Sequence, residues 1–243
     1  MILWRLFFAL FISDFLLQNR WILINKLQFK GLALHCLIYF VVMQLCLLPL
    51  NSFSVLLGTI ALAFLHGVVD FAKRLAHPLF GRQQWLLFVL DQILHGITIV
   101  IVAGVLSLPD RIMIMDTLQI LQIDLIYKYC ALFTVSVFGG IFFTGSALSG
   151  VMDDEAELDK EQTRASKVIG ITERFLITIA VLIGHFELIA FLIAAKSLIR
   201  LPEIQGNTSE RGLVHFSNYY LVGTFLSYSW AFSLALLFKK LFL

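Results

Sequence analysis

Charge is what this sequence has least of. Asp, Glu, Lys and Arg make up 14% of its residues, where a soluble domain carries about 25%. A large soluble core does not account for the shortage, because the apolar stretches repeatedly reach the roughly 20 residues that cross the hydrocarbon of a bilayer. Short segments of alternating polarity, which a membrane barrel would need, are missing, and the expected fold class is an all-α polytopic membrane protein. With a net charge of +2 and no basic run, no nucleic-acid partner is expected. Cys36, Cys46 and Cys130 sit in apolar segments with no C-x-x-C, and read as small buried hydrophobes rather than disulfides or zinc ligands. No nucleotide loop, nucleophile elbow or haem-attachment motif is visible. The apolar N-terminus has Asp14 inside its run and no small-residue cleavage site, so it reads as a retained first helix rather than a signal peptide. Asn207-Thr208-Ser209 matches a glycosylation acceptor, a pattern too short to carry weight.

What is there is a series of about seven apolar spans, near 2–18, 31–49, 53–73, 84–108, 126–150, 173–198 and 217–238. Pro49-Leu50-Asn51 and Leu108-Pro109-Asp110 punctuate two of the turns. This organises the chain into a four-helix core over 1–108, an interfacial segment and fifth span over 109–151, a charged connector of helical composition over 152–168, and a two-helix extension over 169–243. Lys and Arg counts orient it. Twelve fall on one side: Arg20, Lys26, Lys30, Lys73, Arg74, Arg82, Lys160, Arg164, Lys167, Arg174, Lys239 and Lys240. Six fall on the other: Arg5, Arg111, Lys128, Lys196, Arg200 and Arg211. The richer side is expected to be cytoplasmic, with the N-terminus outside and the C-terminus inside, in a bacterial inner membrane.

Ionisable side chains within spans cost roughly 2.5–3.5 kcal/mol each at the bilayer centre, and here they are gathered. Asp14 and Gln18 lie at i, i+4 near the end of span 1, and His35 lies early in span 2. His66 and Asp70 lie at i, i+4 near the end of span 3, with Lys73 beyond them; Asp91, Gln92 and His95 open span 4. Each i, i+4 pair shares one helix face. Alternating spans bring all these ends to one side of the membrane. Antiparallel spans 3 and 4 then set H-x-x-x-D against D-x-x-x-H in mirror order, the two His one turn deeper than the two Asp.

Imidazoles and carboxylates around one cavity suit a divalent metal ion, and such an ion can activate water or polarise a phosphoryl oxygen. The expected ligands are Asp14, His35, His66, Asp70, Asp91 and His95, the last four doubling as acid–base groups. Gln18 and Gln92 would orient ligands or substrate, and Lys26 and Lys73 would attract a phosphate-bearing headgroup unless they serve only as snorkelling anchors. The leading expectation is a metal-dependent hydrolase or transferase on a membrane-borne, lipid-linked substrate. Three alternatives stand beside it. The same groups suit a proton- or cation-coupled transporter or channel; Gln44, Ser54, Thr59 and Thr98 supply few polar steps for a through-path. A non-catalytic component would dock a soluble partner, or a second copy of the chain, through 152–168. Buried Asp–His contacts also simply hold helices together in membranes.

Asp14-Phe15-Leu16-Leu17-Gln18, Lys26, His35, His66-x-x-x-Asp70-x-x-Lys73 and Asp91-Gln92-x-x-His95 resemble the bacterial membrane proteins catalogued as domain of unknown function 3307. Gly170-x-x-Glu173-Arg174, Ala195-Lys196-Ser197-x-x-Arg200 and Tyr219-x-Leu221-x-Gly223-Thr224-x-Leu226-Ser227 resemble the extension of its longer members. Asn218 stands where that pattern has a Glu. The resemblance supports the site and implies no biochemical activity.

The second half reads mostly as packing. Gly139, Gly140, Gly145, Ser146 and Ser149 offer small surfaces for close helix approach. Glu173 and Arg174 are expected as interfacial anchors. His185 and Glu187, two apart in a presumed continuous helix, are expected to face different directions.

Overall fold

A computed structural model describes residues 2–18, 20–25, 29–50, 52–107, 117–151, 160–205 and 210–243. Among them there is no strand. The helices are α1 (Ile2–Phe11), α2 (Arg20–Asn25), α3 (Phe29–Leu47), α4 (Phe53–Ala76), α5 (Gln84–Ser107), α6 (Thr117–Phe133), α7 (Gly140–Val151), α8 (Lys160–Ile183), α9 (Glu187–Gln205) and α10 (Glu210–Phe242). Two π-helical turns, Ile12–Leu16 and Thr134–Gly139, follow α1 and α6. Five helical stretches are long and apolar enough to cross a membrane: Phe29–Leu47, Phe53–Leu79, Gln84–Leu106, Gln122–Ser149 and Tyr220–Phe242. Large apolar side chains such as Phe29, Phe53, Phe64 and Phe225 stand exposed along these helices, which suits lipid and not water.

Two compact units divide the chain, one of Met1–Gly81 with Leu86–Val135, the other of Arg82–Trp85 with Ser136–Leu243. In the first, α1 packs antiparallel to α3: Arg5 lies beside Cys46 and Asp14 beside His35. α3 runs antiparallel to α4, and α4 to α5, as the pairs His35–His66, Gln44–Thr59 and Lys73–Asp91 record. Leu6, Leu10, Met43, Leu47, Leu62 and Ile99 fill the space between them and are almost wholly buried. Arg5, counted above among the surface cations, is buried. Its Nη1 donates to the Cys46 carbonyl at 3.1 Å, one of the acceptors left over in the last turn of α3, where a cation also suits the helix dipole. Asp124 Oδ1 lies 3.5 Å from its Nε and the Tyr127 ring lies beneath it. The segment expected as a separate interfacial helix is, from Thr117 on, part of α6, continuous with the fifth span; residues 109–116 lie outside the described residues.

In the second unit the expected single span over 173–198 is corrected. Gly184, at φ +85, ends α8. Its N–H donates to the Val181 carbonyl and the His185 N–H to the Ala180 carbonyl, the paired hydrogen bonds of a Schellman C-cap, which needs the left-handed backbone that glycine takes without strain. α8 and α9 therefore form a hairpin. α10 runs parallel to α8, since Arg174 meets Ser227 and Lys239 meets Val181. It runs antiparallel to α7, since Phe143 stacks on Trp230 and Leu148 lies by Gly223. Of the connector 152–168, residues 160–168 are the first turns of α8; 152–159 lie outside the described residues.

Candidate metal centre

Asp14 sits in the π turn Ile12–Leu16, where three consecutive residues, Ser13, Asp14 and Phe15, are all buried. A regular α-helix would turn one of them outward; the wider π turn, common at functional sites, keeps the carboxylate facing inward. His35 enters from the first half of α3, His66 and Asp70 from one face of α4, and Asp91 and His95 from one face of α5. All six are buried.

His35 Nε2 and His66 Nε2 point at each other across 2.9 Å. Asp14 Oδ1 lies 3.2 Å from the first and 3.5 Å from the second, and Asp70 Oδ2 lies 3.5 Å from both. Bonds of about 2.0–2.2 Å from one cation to N and O ligands set neighbouring ligand atoms about 3.0–3.5 Å apart. The contacts of each carboxylate oxygen with the two nitrogens, 3.2–3.5 Å, have that spacing, and the two nitrogens are slightly closer at 2.9 Å. His95 Nε2 lies 3.5 Å from Asp91 Oδ1 and 4.0 Å from Asp70 Oδ1, and the sets His35–His66–Asp70, Asp14–His66–His95 and Asp70–Asp91–His95 each bring three ligand atoms within 4.8 Å of one another. Three carboxylates are thus drawn out of water beside one ammonium group. Lys73 Nζ reaches Asp91 Oδ2 at 2.7 Å. Buried charge of one sign is costly unless it is balanced, and protons on the imidazoles or a bound cation would balance it.

Of the residues expected to touch substrate, Gln92 donates from Nε2 to Asp91 Oδ2 at 3.2 Å and so holds a carboxylate of the cluster. Lys73 does the same while remaining a third exposed. Gln18 lies half-buried just beyond the π turn. Lys26 lies outside the described residues. Sequence reasoning missed Tyr39, fully buried, whose ring packs on His66 at 4.5 Å between centroids. It closes the inner side of the cluster against the apolar core. No sequence signal distinguishes it from the other aromatics of span 2, although it lies at i, i+4 from His35.

The second unit holds a different polar group, expected as surface anchors. Glu173 and Arg174 are buried instead. Arg174 Nε donates to the Val137 carbonyl at 2.7 Å, inside the second π turn, and Nη1 donates to Ser227 Oγ at 2.8 Å. Lys196 bonds Glu173, and its Nζ lies over the rings of Tyr220 and Tyr228. Gly140 makes room, for a Cβ there would stand 2.5 Å from Arg174 Cδ, while Gly145 meets nothing and is not a packing surface in this way. His185 and Glu187 are exposed and paired, Nδ1 to Oε1 at 2.6 Å. The helical-face rule does not apply to them because the Gly184 turn separates them from α8.

Residues 2–120 match the family described as protein of unknown function (DUF3307), and over that stretch, which holds all six clustered residues, the chain belongs to it. No curated protein and no solved structure matches the chain.

Proposed function

We propose that this DUF3307 family member spans a membrane and uses the cluster in its first unit to bind a divalent cation, as a metal-dependent hydrolase or transferase acting on a lipid-linked, phosphate-bearing substrate. The observation that carries the reading is that Asp14 Oδ1 and Asp70 Oδ2 each come within 3.5 Å of both His35 Nε2 and His66 Nε2, from three separate helical segments. Mixed imidazole and carboxylate donors suit Zn2+, Fe2+ or Mn2+. A cation held there supplies Lewis-acid polarisation of a phosphoryl oxygen and lowers the pKa of a bound water. Asp91 and His95, one turn apart on α5, would take and return the proton.

Two features favour a membrane-borne substrate. His66 and Asp70 lie on α4 among exposed Phe64, Val68 and Phe71, so the cluster sits at a level where the helix also presents apolar surface. Lys73 and the half-buried Gln18 mark its polar edge, beside exposed Leu16, Leu17 and Trp21. The apolar packing beyond Tyr39 favours a one-sided site over a path through the membrane. Charge bias favours a cytoplasmic position for that edge.

Elemental analysis of protein purified without chelators tests the cation, and release of inorganic phosphate from polyprenyl phosphates or diphosphates in mixed micelles tests the activity. Near-stoichiometric metal and metal-dependent release are expected. A metal-free protein that takes up no Zn2+ or Mn2+ on addition would remove the reading and promote proton-linked transport or purely structural pairing.

A further inference from the structure

Resting on that reading, we infer that the cluster is built for two divalent cations, with Asp70 as the carboxylate that bridges them, and that the pair receives an anionic, phosphoryl-type group.

The two oxygens of Asp70 face different partners. Oδ2 lies 3.5 Å from both His35 Nε2 and His66 Nε2. Oδ1 is turned toward His95 Nε2 at 4.0 Å. Asp14 Oδ1, 3.2 and 3.5 Å from the same two nitrogens, adds a fourth donor atom to this group. His95 Nε2 stands on the other side of the Asp70 carboxylate, 3.5 Å from Asp91 Oδ1. Neither His95 Nε2 nor Asp91 Oδ1 makes a hydrogen bond among the described residues, although both residues are more than nine-tenths buried. Buried polar atoms normally find partners, and an imidazole nitrogen beside two carboxylate oxygens, in a spot closed to water, is a second set of donors. A carboxylate that gives one oxygen to each of two cations suits the separation of about 3.5–4 Å found in two-metal sites for phosphoryl chemistry.

The surroundings of Asp91 agree with this. Its Oδ2 is held by Lys73 Nζ at 2.7 Å and Gln92 Nε2 at 3.2 Å, which fixes the carboxylate so that Oδ1 turns to His95. Partners of this kind orient metal ligands and raise their affinity. Charge points to the occupant. With neutral imidazoles, one divalent cation and Lys73 cancel the three carboxylates. A second cation leaves the site positive by about two charges, a balance that an anionic phosphoryl group restores.

The test is metal stoichiometry on the full chain in detergent, stripped with chelator and then saturated in turn with Zn2+ and Mn2+, with paramagnetic resonance of the Mn2+ form. Wild type is expected to hold two ions per chain and to show exchange-coupled Mn2+. His95→Ala and Asp91→Asn are each expected to hold one ion with an uncoupled spectrum. Asp91→Asn preserves shape and decides the matter if His95→Ala does not fold. Inorganic phosphate is expected to bind the two-ion wild type at least 10-fold more tightly than the one-ion variants. One ion per chain in wild type, or two without coupling, would overturn the bridged pair and leave the single-cation reading standing. No ion at all would overturn both.

Discussion

The imidazole rings of His66 and His95 lie nearly flat against each other, with centroids 4.2 Å apart and planes 29° apart. Each belongs to an i, i+4 pair with an Asp, and α4 and α5 run antiparallel, so the stacked histidines form one layer and the carboxylates take the next toward the helix ends. Tyr39 packs on the other side of the arrangement at 4.5 Å from His66. Aromatic contacts of this sort contribute about 0.5–1.5 kcal/mol beyond the area they bury. They also fix ring orientation, which lets Nε2 atoms be aimed before any cation arrives.

Loss of an imidazole from the four-atom group is therefore expected to remove the cation without unfolding the chain. His35→Ala and His66→Gln should each lower Zn2+ affinity by at least about 100-fold, the upper end of what loss of a mere supporting partner costs. Equilibrium dialysis checks it, with helical circular dichroism and monodispersity as controls. Unchanged Zn2+ content in both variants would show that the two nitrogens face each other for packing alone.

Much of this centre was legible in the sequence. His66-x-x-x-Asp70 and Asp91-x-x-x-His95 sit in spans that must alternate in direction, so helix periodicity and one turn between them bring the four residues together. The inward aim of Asp14 was not legible, because it depends on a π turn that no residue pattern announces. Nor was the buried role of Arg5, whose partner is a backbone carbonyl, or of Arg174, whose partner Val137 carbonyl lies in the other π turn. The break at Gly184 left a signal that went unused: a glycine before polar His185 and Glu187 is a C-cap pattern, masked by the apolar run on both sides.

Among the described residues, Lys73 supplies the one ammonium group beside the three carboxylates. In metal-free protein, Lys73→Met should destabilise the first unit, because Asp91 is left with less compensation in a buried place. A saturating cation stabilises the folded state by about 2.7 kcal/mol at a free concentration 100-fold above its Kd. Added Zn2+ should accordingly recover most of what Lys73→Met loses. Thermal unfolding of wild type and variant, with and without Zn2+, measures this; a variant as stable as wild type without metal would mean that Asp91 is neutral.

Gly140 and Arg174 are expected to be coupled. A methyl group at Gly140 would stand 2.5 Å from Arg174 Cδ and 2.8 Å from its Nε, so Gly140→Ala should cost about 1–3 kcal/mol through overpacking. Arg174→Ala should cost a similar amount by leaving the Val137 carbonyl unpaired. Once Arg174 is shortened, Gly140→Ala should add little. A double-mutant cycle on unfolding in mild detergent reads the coupling; strictly additive losses would count against the contact.

The final prediction concerns the C-terminus. The sequence alone expects one span over 173–198 and hence a C-terminus inside. With Gly184 turning the chain back, α9 returns toward the end from which α8 started, whether the hairpin crosses the membrane or dips into it. α10 then begins at that end and runs parallel to α8, so that Lys239 lies beside Val181 near the Gly184 turn. Recounting on this path gives eleven Lys and Arg on the side of residues 152–159, now including Arg200 and Arg211, against four on the other, with Arg5, Arg174 and Lys196 left out because each is bonded inside its unit. The bias that orients membrane proteins is thus kept, and the two termini are expected on the same, outer side. A reporter active only outside the cytoplasm, fused after Leu243, should be active, and the same reporter inserted in 152–159 should be silent. Silence at both places would mean that α8 and α9 do not form a hairpin in the membrane, and the reverse pair of results that the whole chain is inverted. A second reporter in the 2–3 connection near Asn51 separates these two, because only inversion silences it.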